Sequence, residues 1–273
     1  MDANTEQPED RLSVPAIDTT VAHPARVYDY WLGGKDNFAA DREAAQAVID
    51  VNPGILPGVR SNRAFLVRAV RYLVTDAGIR QILDIGTGLP SANNVHEVAQ
   101  ELVPETKVVY VDNDPIVLVH AHALLTGEPG TINYLDADLR NPANILQSAA
   151  QTLDFDEPVA LILLMTLQFV HGDDDPYGIV KTFVDALPSG SYLVISHPAW
   201  DDETGIANAA TSRYNEKVSS PMVRRTFDEV ARFFDGLELV EPGLVGVSEW
   251  RPDPEQELSG SHSPALCAVA RKP

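Results

Sequence analysis

A chain of 273 residues, 44% hydrophobic and 22% charged, is long enough to bury one large α/β core with an appended segment. It sets 20 Lys and Arg against 40 Asp and Glu, a net charge of −20, and a field of that sign repels phosphate backbones and anionic lipid, so neither nucleic acid nor a membrane is expected as partner. The single cysteine, Cys267, excludes a disulfide framework and a cysteine metal site, and points to a reduced, cytoplasmic setting.

Residues 1–22 mix Pro, Asp, Glu and Thr with little periodic hydrophobicity and read as a flexible N-terminal arm. They carry no basic n-region and no apolar h-region, so no signal peptide is expected there. Residues 23–76 read as a helical lid: Tyr28, Tyr30, Trp31 and Phe38 crowd around Gly33-Gly34 in a helix, break, helix pattern. Phe65, Leu66, Ala69, Val70 and Leu73 predict a third helix over 62–74.

From residue 77 to 273 the pattern becomes that of a core domain. Short β-branched runs at 81–85, 107–111, 131–135, 159–165 and 191–196 alternate with amphipathic stretches, one marked by Val95, Val98, Ala99 and Leu102 and the next by Ile116, Val119, His120, Ala123 and Leu124. Asp175-Pro176 reads as a cap with Pro at the first helical position, opening a helix to 187. Thr226 and Glu229 have capping-box spacing for a late helix, and 237–240 and 265–270 supply two further strands. Such alternation predicts an α/β fold with a doubly wound, mostly parallel sheet. The longest apolar run, 159–167, is far too short to span a bilayer.

In such a sheet the ligand lies beyond the carboxyl ends of the strands, and the first strand-to-helix turn carries glycines so that backbone approaches it closely. Here that turn is Asp84-Ile85-Gly86-Thr87-Gly88, with Pro90 and Ser91 where a dinucleotide site places its third small residue. A carboxylate at Asp84 suits a ligand with a cationic amino group and no phosphate, and S-adenosylmethionine is such a ligand. Asp112, followed by Asn113, ends the second strand, where an acid can accept both ribose hydroxyls. Asp114 before Pro115 reads as a helix cap. Asp138 follows the third strand, where its carboxylate can take the adenine amino group while the Leu139 amide donates to the ring.

Residues 81–141 thus resemble the class I, Rossmann-like methyltransferases. More closely, ARVYDYWLGGKDNFAADREAA, NRAFLVRAVRYL, ILDIGTGLPSANNVHEVAQ and VVYVDNDPIVLVHAHALL resemble the actinobacterial S-adenosyl methyltransferase family, over the stretch from Pro24 onward. The resemblance implies a seven-stranded sheet with an antiparallel last strand, and S-adenosylmethionine as cofactor with S-adenosylhomocysteine as product. It names no acceptor. One motif departs from the family's pattern: Gln168 stands in MTLQFVHG where His is usual, and His171 is the nearby candidate for a proton role.

In the aromatic segment, Arg26 or Lys35 is expected near the methionine carboxylate, with Tyr28 and Asn37 also facing the cofactor. Among candidate catalytic groups, His197 follows the fifth strand and Tyr214 lies in the connection to the late helix, both on the acceptor side. His96, His120 and His122 fall in helical patterns and read as packing or surface residues; no metal spacing is present. The reading is methyl transfer to an oxygen or nitrogen nucleophile of a small molecule. The alternatives are a non-catalytic sensor or scaffold for the same cofactor, and a nicotinamide-dependent oxidoreductase, which Asp84 and Pro90 disfavour.

Overall fold

The computed structural model describes residues 18–117, 119, 130–199, 205–253 and 265–273. The expectations for residues 1–17 of the arm, and those for His120, His122, Ala123 and Leu124, lie outside the described residues; 115–117 are helical.

Three helices come first: α1 (Pro24–Leu32), α2 (Ala39–Val51) and α3 (Ile55–Thr75). The Gly-Gly break between α1 and α2 has a steric origin. Gly33 closes α1 in the left-handed region, and a Cβ on Gly34 would lie 1.9 Å from the Asp29 carboxylate, which folds back over the turn. Helix α3 begins seven residues earlier than the sequence suggests, because Pro57 sits in its first turn, where its missing N–H leaves no hydrogen bond unmade.

The α/β core follows as β1 (Gln81–Ile85), α4 (Val95–Leu102), β2 (Lys107–Asp112), β3 (Ile132–Asp136), α5 (Pro142–Ala149), β4 (Ala160–Leu164), α6 (Pro176–Ala186), β5 (Tyr192–Pro198), α7 (Ile206–Asn215), α8 (Phe227–Ala231), β6 (Glu238–Leu239), β7 (Val245–Gly246) and β8 (Ala265–Arg271). The strand order is β3-β2-β1-β4-β5-β8-β6, with β1 to β5 parallel and β8 antiparallel to β5. Two short stretches, β6 and β7, both pair with β8, so among the described residues the sheet counts eight strands where seven were expected. Pro242 has no N–H to give a ladder, and the Gly243 N–H closes a turn on the Val240 carbonyl at 2.9 Å, which splits the sixth position of the sheet in two.

Helices cover both faces, and side-chain alternation along each strand divides the core accordingly. Leu83, Val109, Leu161 and Leu193 pack with Ile145 of α5 and Phe183 of α6. Ile82, Val108, Ile162 and Val194 pack on the other face with Phe65, Leu66 and Leu73 of α3 and Val95 of α4. Asp84 lies two residues beyond Ile82, so the alternation delivers its carboxylate to the α3 face. The expected caps form: the Gly178 N–H donates to the Asp175 carboxylate at 3.0 Å, and Thr226 and Glu229 cap reciprocally at 3.2 and 2.8 Å. Helices α5 and α7 had not been expected.

Candidate functional site

A cavity of about 430 Å³ opens at the carboxyl ends of β1, β2 and β4, the position at which doubly wound sheets bind ligands. Its walls come from the turn after β1, the ends of β2 and β3, the loop after β4, and helices α1, α3 and α7.

The turn after β1 is drawn tight. Gly86 has φ +75 and gives its N–H to the Val111 carbonyl at 2.8 Å, and a Cβ there would meet Thr166 Oγ1 at 2.2 Å. Thr87 donates from Oγ1 to the Asp84 carbonyl at 3.1 Å. The Gly88 N–H donates to Asp112 Oδ2 at 2.8 Å and the Asp114 N–H to Asp112 Oδ1 at 3.0 Å, so the acid at the end of β2 is oriented by two backbone amides. Burial nonetheless pushes the Asp112 carboxyl above its ordinary value. Asp114 accepts from the Ile116 N–H at 3.0 Å, the expected cap, and also lies 2.7 Å from His23 Nδ1.

Asp84 is a strongly perturbed acid of the cavity. Burial raises it to about 7; the charge of Arg63 pulls the other way and that of Asp112 pushes further up. Arg63, a cavity residue on α3 that the sequence reading missed, is held by two carbonyls, donating from Nη2 to Ala92 at 3.0 Å and Asn93 at 2.9 Å. Its position inside a regular amphipathic helix gave no sign that this polar face looks onto a ligand. Asn113, Asp138 and Leu139 line the same end. Asp138 is gripped by Arg140, with Nη2 at 2.6 Å, and those hydrogen bonds hold its carboxyl below the ordinary value.

Three of the expected lid contacts are not made. Arg26 does not line the cavity: it is buried, donates to the Asp18 and Val21 carbonyls at 3.0 and 2.8 Å, and lies 3.3 Å from Asp41. Lys35 is exposed and outside the cavity wall. Asn37 is buried beneath the Gly-Gly turn, donating to Asp29 Oδ2 at 2.8 Å and the Gly34 carbonyl at 3.1 Å. Arg26 and Asn37 thus find their partners within the protein, and the amides of the glycine break donate to the Tyr30 and Asp29 carbonyls at 2.9 Å.

His197 is likewise placed away from the cavity. It is fully buried, and Arg225 Nη1 donates to its Nε2 at 2.7 Å, which makes Nδ1 the protonated nitrogen, donating to the Pro198 carbonyl at 2.9 Å. Burial and the Arg225 charge lower it to about 3, so it is a neutral structural imidazole and no base. Tyr28, Tyr214 and His171 do line the cavity. Tyr214 faces Trp31 with ring centroids 6.2 Å apart, and burial raises its hydroxyl well above its ordinary value. His171 Nε2 lies 3.0 Å from the Pro221 carbonyl.

Two carboxamides complete this end. Gln168 donates from Nε2 to the Met165 carbonyl at 2.7 Å, and Asn62 from Nδ2 to the Tyr28 hydroxyl at 2.9 Å. Their oxygens are buried without a partner, a cost of about 1–3 kcal/mol each.

A family model described as S-adenosyl methyltransferase matches residues 10–273. A DUF574-family protein from Streptomyces avermitilis is 44% identical over 94% of this chain and all of its own, with a TM-score of 0.90. A candidate methyltransferase from Thermobifida fusca is 39% identical over 94% of this chain and 97% of its own, at 0.88. An O-methyltransferase family protein from Burkholderia thailandensis shares the fold at 13% identity and a TM-score of 0.51, over 84% of this chain and 62% of its own. No curated protein matches. Acids after the first three strands, a tight glycine turn between them and a match over nearly the whole chain converge: the chain belongs to the S-adenosyl methyltransferase family, as an S-adenosylmethionine-dependent methyltransferase.

Proposed function

We propose that this methyltransferase acts on an oxygen or nitrogen nucleophile of a small molecule, and that the cavity holds donor and acceptor end to end. The observation that carries the cofactor part of this reading is Asp84, a carboxylate buried at the cavity wall and raised to about 7 by that burial. A ligand ammonium against it offsets the desolvation, and Arg63 on the same side offers a guanidinium to a ligand carboxylate. The residues therefore fit the amino-acid moiety of S-adenosylmethionine. Asp112, its two oxygens oriented by backbone amides, would hold the ribose hydroxyls, and Asp138 with Leu139 the adenine.

When bound, the cofactor supplies an electrophilic methyl on a sulfonium, whose transfer leaves the C–S electron pair on sulfur as a neutral thioether. The chain's part is alignment and exclusion of water. Helices α1 and α3 and the α7 face roof the acceptor end as a lid, with Tyr28, Trp31 and Tyr214 as its aromatic lining. Of the imidazoles on the cavity wall, His23 is paired with Asp114, and His171 is the one placed to receive a proton, His197 being committed to Arg225 and Pro198. Calorimetry with S-adenosylhomocysteine on the wild type and Asp84→Asn tests the cofactor assignment; equal affinities would refute it. Incubation with methyl-labelled cofactor and a metabolite extract tests the acceptor class, and label found only on macromolecules would overturn it.

A further inference from the structure

The acceptor end of the cavity has a chemistry distinct from the cofactor end. Its walls are apolar and partly aromatic: Trp31, Val59, Leu66, Phe169, Ala207 and Met222. On α7, Ala207, Ala210, Thr211 and Tyr214 follow helical spacing along one face, and all four line the cavity, the two alanines leaving room beside the Tyr214 ring. Two charged side chains on these walls are tied into the protein by hydrogen bonds. Asp29 accepts from the Asp36 N–H at 3.0 Å and from Asn37 Nδ2 at 2.8 Å, and Arg224 donates to the Ala199 carbonyl. A charged acceptor would lose its hydration against these apolar walls.

Gln168 and Asn62 supply the polar part, and their orientation is fixed by neighbours. The Met165 carbonyl accepts only from an amide nitrogen, so Gln168 Nε2 faces it and Oε1 is left over. The Tyr28 hydroxyl gives its hydrogen to the Val59 carbonyl at 3.3 Å, so it accepts from Asn62 Nδ2, and Asn62 Oδ1 is left over in turn. Both residues line the cavity, and both leftover oxygens are buried acceptors without a donor. The site therefore asks its ligand for hydrogens.

We infer that the acceptor is a neutral, largely apolar ring compound that presents N–H or O–H hydrogens to the side-chain oxygens of Gln168 and Asn62. The inference rests on the cofactor reading above and adds the substrate class. Flat rings suit the aromatic faces of Trp31, Phe169 and Tyr214, and a neutral donor removes the unmet demand of the two carboxamides. The same pair discriminates substrate from product, because each methyl transferred removes one N–H or O–H.

Calorimetric titration of the wild type, saturated with S-adenosylhomocysteine, with four indole probes tests this. Indole carries one N–H, 1-methylindole lacks it, indole-3-carboxylate is anionic and tryptamine cationic. The expected order is indole first, 1-methylindole about tenfold weaker for the loss of one hydrogen bond, and no binding of the two ions. In Gln168→Leu or Asn62→Leu the ratio of indole to 1-methylindole affinity falls toward one. Preference for an ionic probe, equal affinity for indole and 1-methylindole on the wild type, or no binding of any probe to the saturated protein overturns the inference. Failure of S-adenosylhomocysteine itself to bind overturns the cofactor reading instead.

Discussion

Replacing Asp84 by Asn should stabilise the ligand-free protein while weakening its hold on cofactor. An acid held at about 7 against an ordinary value of 3.8 carries about 4 kcal/mol of penalty once fully ionised. The sign follows from the direction of the shift. With a folded value above the unfolded one, the native state keeps its proton longer, so Asp84's contribution is most favourable below pH 3.8 and is lost as pH rises through 7. Asn carries no such burden. At pH 8 Asp84→Asn should therefore melt higher, by roughly 8 °C at about 2 °C per kcal/mol for a chain of this size, and by pH 5 the advantage should shrink to under about 2 kcal/mol. Thermal unfolding across pH 5–8 without ligand reads the effect directly. Adding S-adenosylhomocysteine at a hundred times its Kd, which stabilises the wild type by about 2.7 kcal/mol, should remove more than half of that advantage at pH 8. A variant that melts with the wild type at pH 8, or whose advantage grows as pH falls, would refute the argument.

His197 behaves in the opposite sense: lowered to about 3 from an ordinary 6.5, it contributes stability that is full above 6.5 and lost as pH falls toward 3. Urea midpoints should drop through that window for the wild type and drop less for His197→Gln. Gly86→Ala pushes a methyl to 2.2 Å from Thr166 Oγ1 at φ +75, and thermal melts should show a loss of roughly 2–4 kcal/mol, with Thr166→Ala recovering part of it. Arg63→Ala should weaken S-adenosylhomocysteine ten- to a hundredfold, about 1.4–2.8 kcal/mol by calorimetry. Arg26→Ala should instead lower the melting temperature by stranding buried Asp41, with cofactor affinity changed less than about threefold.

The cavity wall at the strand ends was legible because strand periodicity locates those ends, and Asp84, Asp112 and Asp138 sit at or just past three of them in order. The rest of the wall was not, for reasons visible in particular residues. Arg26 and Asn37 were assigned outward because charge in an aromatic segment suggests a ligand, yet Asp29 and Asp41 in the same segment were the buried partners waiting for them. His197 and Arg225 are 28 residues apart, and nothing local announces that they meet. Helix α7 was missed because its cavity face is Ala207, Ala210 and Thr211, too weakly hydrophobic for periodicity to register. Gln168 was noted only as a departure from a motif; its leftover oxygen depends on where the Met165 carbonyl points.

Arg225 bears on how the stretch after β4 is held. Its two terminal nitrogens donate to the Leu167 and Val170 carbonyls at 2.8 and 2.7 Å, fastening the stretch after β4 from outside, through main-chain atoms alone. The side chains of Gln168 and Phe169, which line the cavity, take no part in the Arg225 contacts. The stretch is a fitting on a fixed bracket: the Arg225 clamp holds its main chain whichever side chains stand at these two positions.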